Sequence, residues 1–305
     1  LVQFLLYVNR LIWPVAAIGW VTNLVQRAAA SAVRLNKVIH RIPQLTSVEK
    51  LPKDELLPSI EFKNVAFSYT PTAHILKNIS FRLEAGQSLG IVGTTGSGKT
   101  TLISLIPRLF DPKSGEIRIG DIPLEQIPIS LLRDTIALVN QEPFLFSMTI
   151  ADNIKFAGKD ISEEKMTFAA KAAQLHDDVM GFDNKYNTIV GERGITLSGG
   201  QKQRTALARA IAREPKILVL DDSFSAVDTV TESKILENMR HIMKDRTTII
   251  IAHRLSSVRM CDSIIVLDEG NIIERGTHDE LIAKDGLYAE MYERQKLEEE
   301  LEIIG

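Results

Sequence analysis

A chain of 305 residues with 45% hydrophobic residues has room for one large or two modest cores beside a terminal extension, and it is too apolar to remain disordered. A net charge of −3 at pH 7 without a Lys/Arg block argues against a nucleic-acid surface. The single cysteine, Cys261, excludes a disulfide framework or a cysteine-built metal site within the chain and reads as a small buried thiol.

The chain opens without Met in an apolar run, LVQFLLYVNRLIWPVAAIGWVTNLV, of which residues 11–26 carry no charge. That stretch falls short of the roughly 20 residues of a full span, but residues 1–8 are apolar too, so the reading is a membrane helix already under way at Leu1, with sequence missing upstream. No cationic segment precedes the run, which disfavours a secretory signal, although residues 28–32 mimic a cleavage site. Trp13, Trp20 and Tyr7 suit a membrane interface, and Arg27, Arg34, Lys37 and Arg41 follow as at a cytoplasmic exit. Pro14 should kink the helix. Arg10 is a snorkelling or cavity-facing charge or, at true lipid depth, a functional group. The helix carries to about His40, and Pro43, Pro52 and Pro58 amid mixed charge predict a linker over 41–59.

Residues 60–69, then Ile79, Phe81 and Leu83 alternating with Ser80, Arg82 and Glu84, predict strands of a partly exposed sheet, a pattern that Ile117 and Ile119 continue. They lead into GTTGSGKTT at 93–101, entered from the apolar run 89–92 and left through Leu102, Ile103, Leu105 and Ile106. Gly93, Gly98, Lys99 and Thr100 meet the phosphate-loop pattern, and Gly96 lets the backbone curl further. Main-chain N–H groups from Gly93, Thr94, Thr95, Gly96, Ser97, Gly98 and Thr101 can close on a β-phosphate at a helix N-terminus. Lys99 adds a full charge to the β- and γ-phosphates, and the Thr100 hydroxyl can hold Mg²⁺. The alternative is a Gly-rich turn before an ordinary helix, which the strand-before, helix-after context disfavours.

Beyond a short helix disturbed by Pro107, residues 150–182 change to helical periodicity, with Ser162 as a cap and Met166, Ala169, Ala170 and Ala173 on one side. Residues 217–220 and 248–252 are continuous apolar runs, as expected of strands buried on both faces of a parallel sheet, with a crossover helix over 232–243. Residues 264–267 and 272–273 flank Glu269, Gly270 and Asn271, a hairpin. Thr277 and Glu280 form a capping box, and the Glu-rich end LEEELEI reads as a solvated helix terminus.

The second stretch that carries chemistry is LSGGQKQR at 197–204, before a helical run with Ala206, Leu207, Ala210 and Ile211 on one face. Ser198 and Gln201 are spaced as a capping box. Gly199 and Gly200 each weaken a helix by about 1 kcal/mol, so their bare backbone donors point to an outside anion.

A phosphate loop, LSGGQ about a hundred residues later, and ILVLDDS directly after that helix resemble the nucleotide-binding domain of an ATP-binding cassette (ABC) protein over 60–295. The apolar helix before it resembles the last membrane helix of an ABC exporter half. NQEPFLF, LSGGQKQR, LDDSFSAVD and AHRLSSV together look closest to bacterial multidrug exporters built from two different half-transporters, particularly the MdlA-like half. The resemblance implies an α/β P-loop NTPase of ABC type: a mixed sheet core, an antiparallel β-subdomain and a helical subdomain, preceded by one membrane helix. The divisions are 1–40 for the membrane helix and its cytoplasmic extension, 41–59 linker, 60–295 nucleotide-binding domain and 296–305 charged tail.

The same resemblance assigns roles. Tyr69 matches the aromatic that stacks on adenine, and Gln141 the glutamine that reaches Mg²⁺ and the attacking water. Phe144, Leu145 and Phe146 lie where the membrane domain docks, or in the core. Asp221 matches the Mg²⁺-site carboxylate, Ser225 to Asp228 the loop that touches the opposite subunit, and His253 the histidine that contacts the γ-phosphate. Ser198, Gly199, Gly200 and Gln201 would face ATP held by the other subunit. Two departures stand out: Asp222 replaces the usual catalytic glutamate, which predicts slow hydrolysis unless a small backbone shift restores its reach, and Ile189 in TIVGERG replaces a glutamate, which puts coupling through that loop in doubt. A self-paired protein would carry the short carboxylate in both sites, so the resemblance implies a second, different half-transporter. The further implied partners are the membrane domain's coupling helices, the lipid bilayer and an exported drug or lipid, in a bacterial inner membrane, multi-pass when full length, with the ATPase domain cytoplasmic. A soluble ABC ATPase in repair or translation, and a regulatory subunit that binds ATP with little turnover, remain open.

Overall fold

The computed structural model describes residues 1–42, 45, 47–48, 56–70, 74–156, 158, 160–191 and 197–304. Most of the expected linker over 41–59 and the ERG end of TIVGERG, residues 192–194, lie outside the described residues. Contacts divide the chain into two units, Leu1–Thr46 and Ser47–Gly305.

The first unit is a single helix, α1 (Val2–Ile39), which runs through Pro14 and buries no residue. Its 38 residues exceed what a hydrocarbon core of about 30 Å requires at 1.5 Å per residue, and its apolar window, of mean hydropathy 1.5, makes it long and apolar enough to cross a membrane.

In the second unit, β1 (Ile60–Phe67), β2 (Leu76–Leu83), β3 (Ser88–Gly93), α2 (Lys99–Leu105), β4 (Ser114–Ile119), β5 (Ile122–Pro123), α3 (Ile129–Thr135) and β6 (Ile136–Val139) come first. A helical section follows, of α4 (Ile150–Lys155), α5 (Glu163–Ala172), α6 (His176–Met180) and α7 (Gly199–Ala212). The chain then alternates through β7 (Ile217–Asp221), α8 (Thr229–Met243), β8 (Thr247–Ile251) and α9 (Leu255–Val258). It ends with β9 (Ser263–Asp268), β10 (Asn271–Gly276), α10 (His278–Ala283) and α11 (Leu287–Ile304).

Two sheets result. One is four-stranded in the order β2-β1-β4-β5 and antiparallel; the other is six-stranded in the order β10-β9-β3-β8-β7-β6, parallel except for the β10 edge. The continuous apolar runs are explained by burial on both faces. Ile217 and Val219 face one hydrophobic cluster, shared with α2 and the antiparallel sheet, while Leu218 and Leu220 face the other, shared with α5, α7 and α8.

Local chemistry sets the boundaries. Ser162 caps α5 by accepting from Lys165 N–H, and Ser198 and Thr277 form the expected capping boxes. The crossover helix begins three residues earlier than its apolar period suggests. Asp228 accepts from Thr231 N–H at 2.9 Å, and this cap carries the weak helix formers Thr229, Val230 and Thr231 into the first turn. The hairpin turn is also tighter than expected: Asn271 already pairs with Asp268, leaving Glu269 (φ 42°) and Gly270 (φ 79°) as a two-residue turn. Residues 296–304 continue α11 without a break.

Leu220 is fully buried, so Leu220→Ala should lower unfolding free energy by about 2–5 kcal/mol in a denaturant titration. Burial pushes the Cys261 thiol up to about 12. Iodoacetamide at pH 8 should therefore leave Cys261 unmodified in the folded chain and alkylate it rapidly in denaturant; equal rates would contradict its burial.

Candidate nucleotide site

The phosphate loop starts where β3 ends. Gly93 pairs with Leu267 of β9, and a Cβ on Gly93 would stand 1.9 Å from the Leu267 carbonyl oxygen. Its φ of 145° lies in the left-handed half of the backbone map, so glycine is required there twice over. The β9–β10 hairpin braces the loop that follows: the Thr94 hydroxyl donates to Asp268 at 2.8 Å, and Gly270 N–H donates to the Ser97 carbonyl at 3.2 Å. Thr94, Thr95, Gly96 and Thr100 are exposed, whereas Ser97 and Thr101 are buried.

Lys99 is buried and folded back into the loop, its Nζ donating to the carbonyls of Gly93 at 2.9 Å and Thr94 at 2.8 Å. Burial pulls its ammonium below the ordinary lysine value, while Asp221 and Asp222 act the other way. Near α2, the Tyr69 hydroxyl lies 3.3 Å from the Thr101 hydroxyl, and the Tyr69 ring meets Phe67 and Phe110 edge-on at 4.9 and 5.3 Å. Half of Tyr69 remains exposed, which leaves a ring face available for stacking.

The acidic pair closes β7. Burial raises the Asp221 carboxyl above the usual carboxylate range; a hydrogen bond from Thr100 opposes that shift, Asp222 adds to it, and Lys99 and His253 counter it. A cation beside Asp221 would favour the charged form. Among the described residues no group of three or more His, Cys, Asp or Glu could hold a metal alone. Thr100 and Asp221 instead present hard oxygen donors of the kind Mg²⁺ accepts while keeping water and phosphate oxygens.

Asp222 takes a left-handed conformation, φ 45°, with its N–H donating to the Ile251 carbonyl at 2.9 Å. Its carboxylate bridges two loops: Oδ2 accepts from Gln141 Nε2 at 3.2 Å, and Oδ1 accepts from His253 N–H at 3.4 Å. Gln141, Asp222, His253 and Gly93 thus follow or end four adjacent parallel strands, β6, β7, β8 and β3, at their carboxyl ends, where ligands of α/β sheets bind.

Ser198, Gly199, Gly200 and Gln201 open α7 elsewhere in the unit, and among the described residues no hydrogen bond joins them to the phosphate loop. The two glycines also have an internal reason. A Cβ on Gly200 would lie 2.8 Å from the Ala226 carbonyl oxygen, so the loop over 225–228 lies against this helix start. Three residues that sequence reasoning passed over hold the arrangement. Asp178 accepts from Gln201 Nε2 at 3.0 Å and from Arg204 Nη2 at 2.7 Å. Buried Gln203 donates to the Gln141 carbonyl at 3.3 Å and the Ser225 hydroxyl at 3.0 Å, and accepts from Ala226 N–H at 3.0 Å. Phe110 completes the Tyr69 cluster. Only Gln203 left a trace, as a polar residue one turn before Ala206 and Leu207 on the apolar face of α7.

Of the three aromatic-run residues, Leu145 is fully buried and belongs to the core, whereas Phe144 is 54% exposed. Phe144, Phe146, Phe156, Arg209 and Arg213 line a groove of about 380 Å³, in which the Arg209 guanidinium stands 6.0 Å from the Phe146 ring centre. Ile189 is exposed and bridges Thr149.

The family model described as ABC transporter matches residues 76–225. The chain is 42% identical over 303 residues to the multidrug resistance-like ATP-binding protein MdlA of Escherichia coli (strain K12), covering 99% of this chain and 51% of that protein. It is 44% identical over 299 residues to the probable multidrug resistance ABC transporter ATP-binding/permease protein YheI of Bacillus subtilis (strain 168), covering 97% and 51%. A solved structure of a bacterial Atm1-family ABC exporter with ATP bound superposes with a TM-score of 0.85 at 38% identity, over 95% of this chain and 51% of that one. The chain therefore spans about half the length of the curated relatives it matches. Two glycine-rich helix starts, an acidic pair ending a buried strand and these likenesses agree: the chain belongs to the ABC transporter family, of which it carries the ATP-binding domain.

Proposed function

We propose that this chain is the ATP-binding and ATP-hydrolysing part of an exporter half, in which ATP-driven closure of two cassettes powers export of drugs or lipids. The observation that carries the reading is the convergence of Lys99, the Thr100–Asp221 pair and the Gln141–Asp222–His253 bridge at the carboxyl ends of four neighbouring parallel strands. In this reading Tyr69 stacks on adenine and the main chain of 93–101 binds the phosphates, with Lys99 turning from the loop carbonyls toward the β- and γ-phosphates. Thr100, Asp221 and Gln141 would hold Mg²⁺, which supplies neutralisation of the phosphate charge. Asp222 orients the attacking water and takes its proton, and His253 meets the γ-phosphate.

Asp222 is the departure with mechanistic weight. A carboxylate one methylene short, with both oxygens already engaged, is displaced from the water by on the order of 1 Å, which can cost about a hundredfold in rate. The site on this chain then mainly binds ATP. Ser198, Gly199, Gly200 and Gln201, exposed or partly exposed at the start of α7, complete a faster site on a different half-transporter. The Phe144–Phe146 groove receives that assembly's coupling helices, with Ile189 at their margin. The proposed organisation is membrane helix 1–40, linker 41–59, ATPase domain 60–295 and tail 296–305, in a bacterial inner membrane with the ATPase domain in the cytoplasm. The exposed apolar length of α1 favours this over a soluble ATPase of repair or translation.

Two measurements test this. Lys99→Ala should weaken ATP binding about tenfold or more, as expected for loss of charge-assisted contacts, in equilibrium titrations with ATP-Mg²⁺. In the full-length protein with its partner subunit, Asp222→Glu should raise ATP turnover at this chain's site by one to two orders of magnitude, that is roughly ten- to a hundredfold. A full-length homodimer as fast as any mixed complex, gaining nothing from Asp222→Glu, would exclude the asymmetric pair.

A further inference from the structure

We propose that Gln295, on the chain's last helix, is a positioning residue for His253; this rests on the reading above that His253 meets the γ-phosphate. The segment from His253 to Leu255 joins β8 to the four-residue helix α9, whose N-cap, Arg254, makes no side-chain cap hydrogen bond. Its main-chain groups must find partners elsewhere. Gln295 supplies two of them with one carboxamide: Oε1 accepts from Leu255 N–H at 2.8 Å, and Nε2 donates to the His253 carbonyl. One partner is a donor and the other an acceptor, so only one orientation of the amide satisfies both.

The clamp is one of three holds on this loop. On the site side, Asp222 accepts from His253 N–H at 3.4 Å. On the α8 side, the Arg254 guanidinium donates to buried Glu232 at 2.6 Å and to the Val227 carbonyl at 3.2 Å, and Glu232 also accepts from the Ser257 hydroxyl. Gln295 holds the main chain on both flanks of Arg254 from α11. Without it, the His253 carbonyl and the Leu255 N–H lose their partner, and the residue between Asp222 and Arg254 gains freedom to swing. A histidine so loosened would meet the γ-phosphate less often, whereas the α- and β-phosphates, held by the loop over 93–101, would not notice. Gln295 therefore tunes discrimination between ATP and ADP rather than nucleotide affinity as such.

The test uses the full-length protein in membranes with its partner subunit. Labelling of this polypeptide by an azido-adenine nucleotide is competed with ATP-Mg²⁺ or ADP-Mg²⁺. Gln295→Ala removes both bonds, and the equally long Gln295→Glu keeps the acceptor for Leu255 while setting an oxygen against the His253 carbonyl. Both should weaken competition by ATP roughly three- to tenfold, the effect of one or two hydrogen bonds, and leave ADP within about twofold, which also shows that the nucleotide site is folded. Combined with His253→Ala, neither should weaken ATP further. Equal weakening of ATP and ADP, no change with either variant, or a full additional loss in the His253→Ala background would overturn the role of Gln295 alone. If His253→Ala itself leaves the ATP-to-ADP preference intact, the γ-phosphate reading of His253 falls, and this role with it.

Discussion

The nucleotide site depends on a close approach between two parallel strands. Gly93 and Leu267 lie so near that no side chain fits between them, with 1.9 Å from an added Cβ to the Leu267 oxygen. Because β9 continues directly into the Glu269–Gly270 turn, the contact that ends β3 also delivers the hairpin that braces Thr94 and Ser97. The loop is thus supported from outside by rigid sheet, and Lys99 spans it from within, Nζ to two carbonyls. The two carbonyls partner the buried ammonium in this conformation, and in the proposed mechanism anionic phosphate oxygens, which are stronger acceptors than neutral carbonyls, would replace them.

In the proposed mechanism, catalysis and communication would share a second contact, the carboxylate of Asp222. Gln141 reaches it from the loop after β6 and the His253 N–H from the loop after β8, so one short side chain links the two segments that flank β7. Gln203 ties the Gln141 main chain to Ser225 and Ala226, and Arg254 ties the His253 loop to Val227. The segments that would sense nucleotide, the opposite subunit and the membrane domain form one hydrogen-bonded belt at the carboxyl edge of the sheet. In that mechanism a change at Asp222 would reach Gln141, three residues before Phe144, which lines the aromatic groove.

Much of this was legible in the residues because it rests on local chemistry. The apolar runs of β7 and β8, the Ser162, Ser198 and Thr277 caps and the Gly-rich loop each carry their cause within a few positions. What could not be read depended on contacts distant in sequence. Asp178 is one aspartate among several until the fold sets it against Gln201 and Arg204. Gly200 read as a bare donor for an anion, yet the nearness of the Ala226 carbonyl gives it a packing reason as well. Leu145 sat between two phenylalanines and shared their reading, but the alternation of the chain turns it inward. Gln295 lay beside a charged tail that looked inert, and only the course of α11 brings it to the His253 loop.

The central claim is that the main chain of 93–101 closes on the phosphates of ATP, and amide hydrogen exchange reads that main chain directly. Exchange of the peptide covering 93–101 in the full-length protein, with and without ATP-Mg²⁺, should slow markedly on nucleotide addition. In Lys99→Ala the same slowing should require roughly tenfold or more ATP-Mg²⁺. Unaltered exchange across these amides at a saturating ATP-Mg²⁺ concentration would contradict the account.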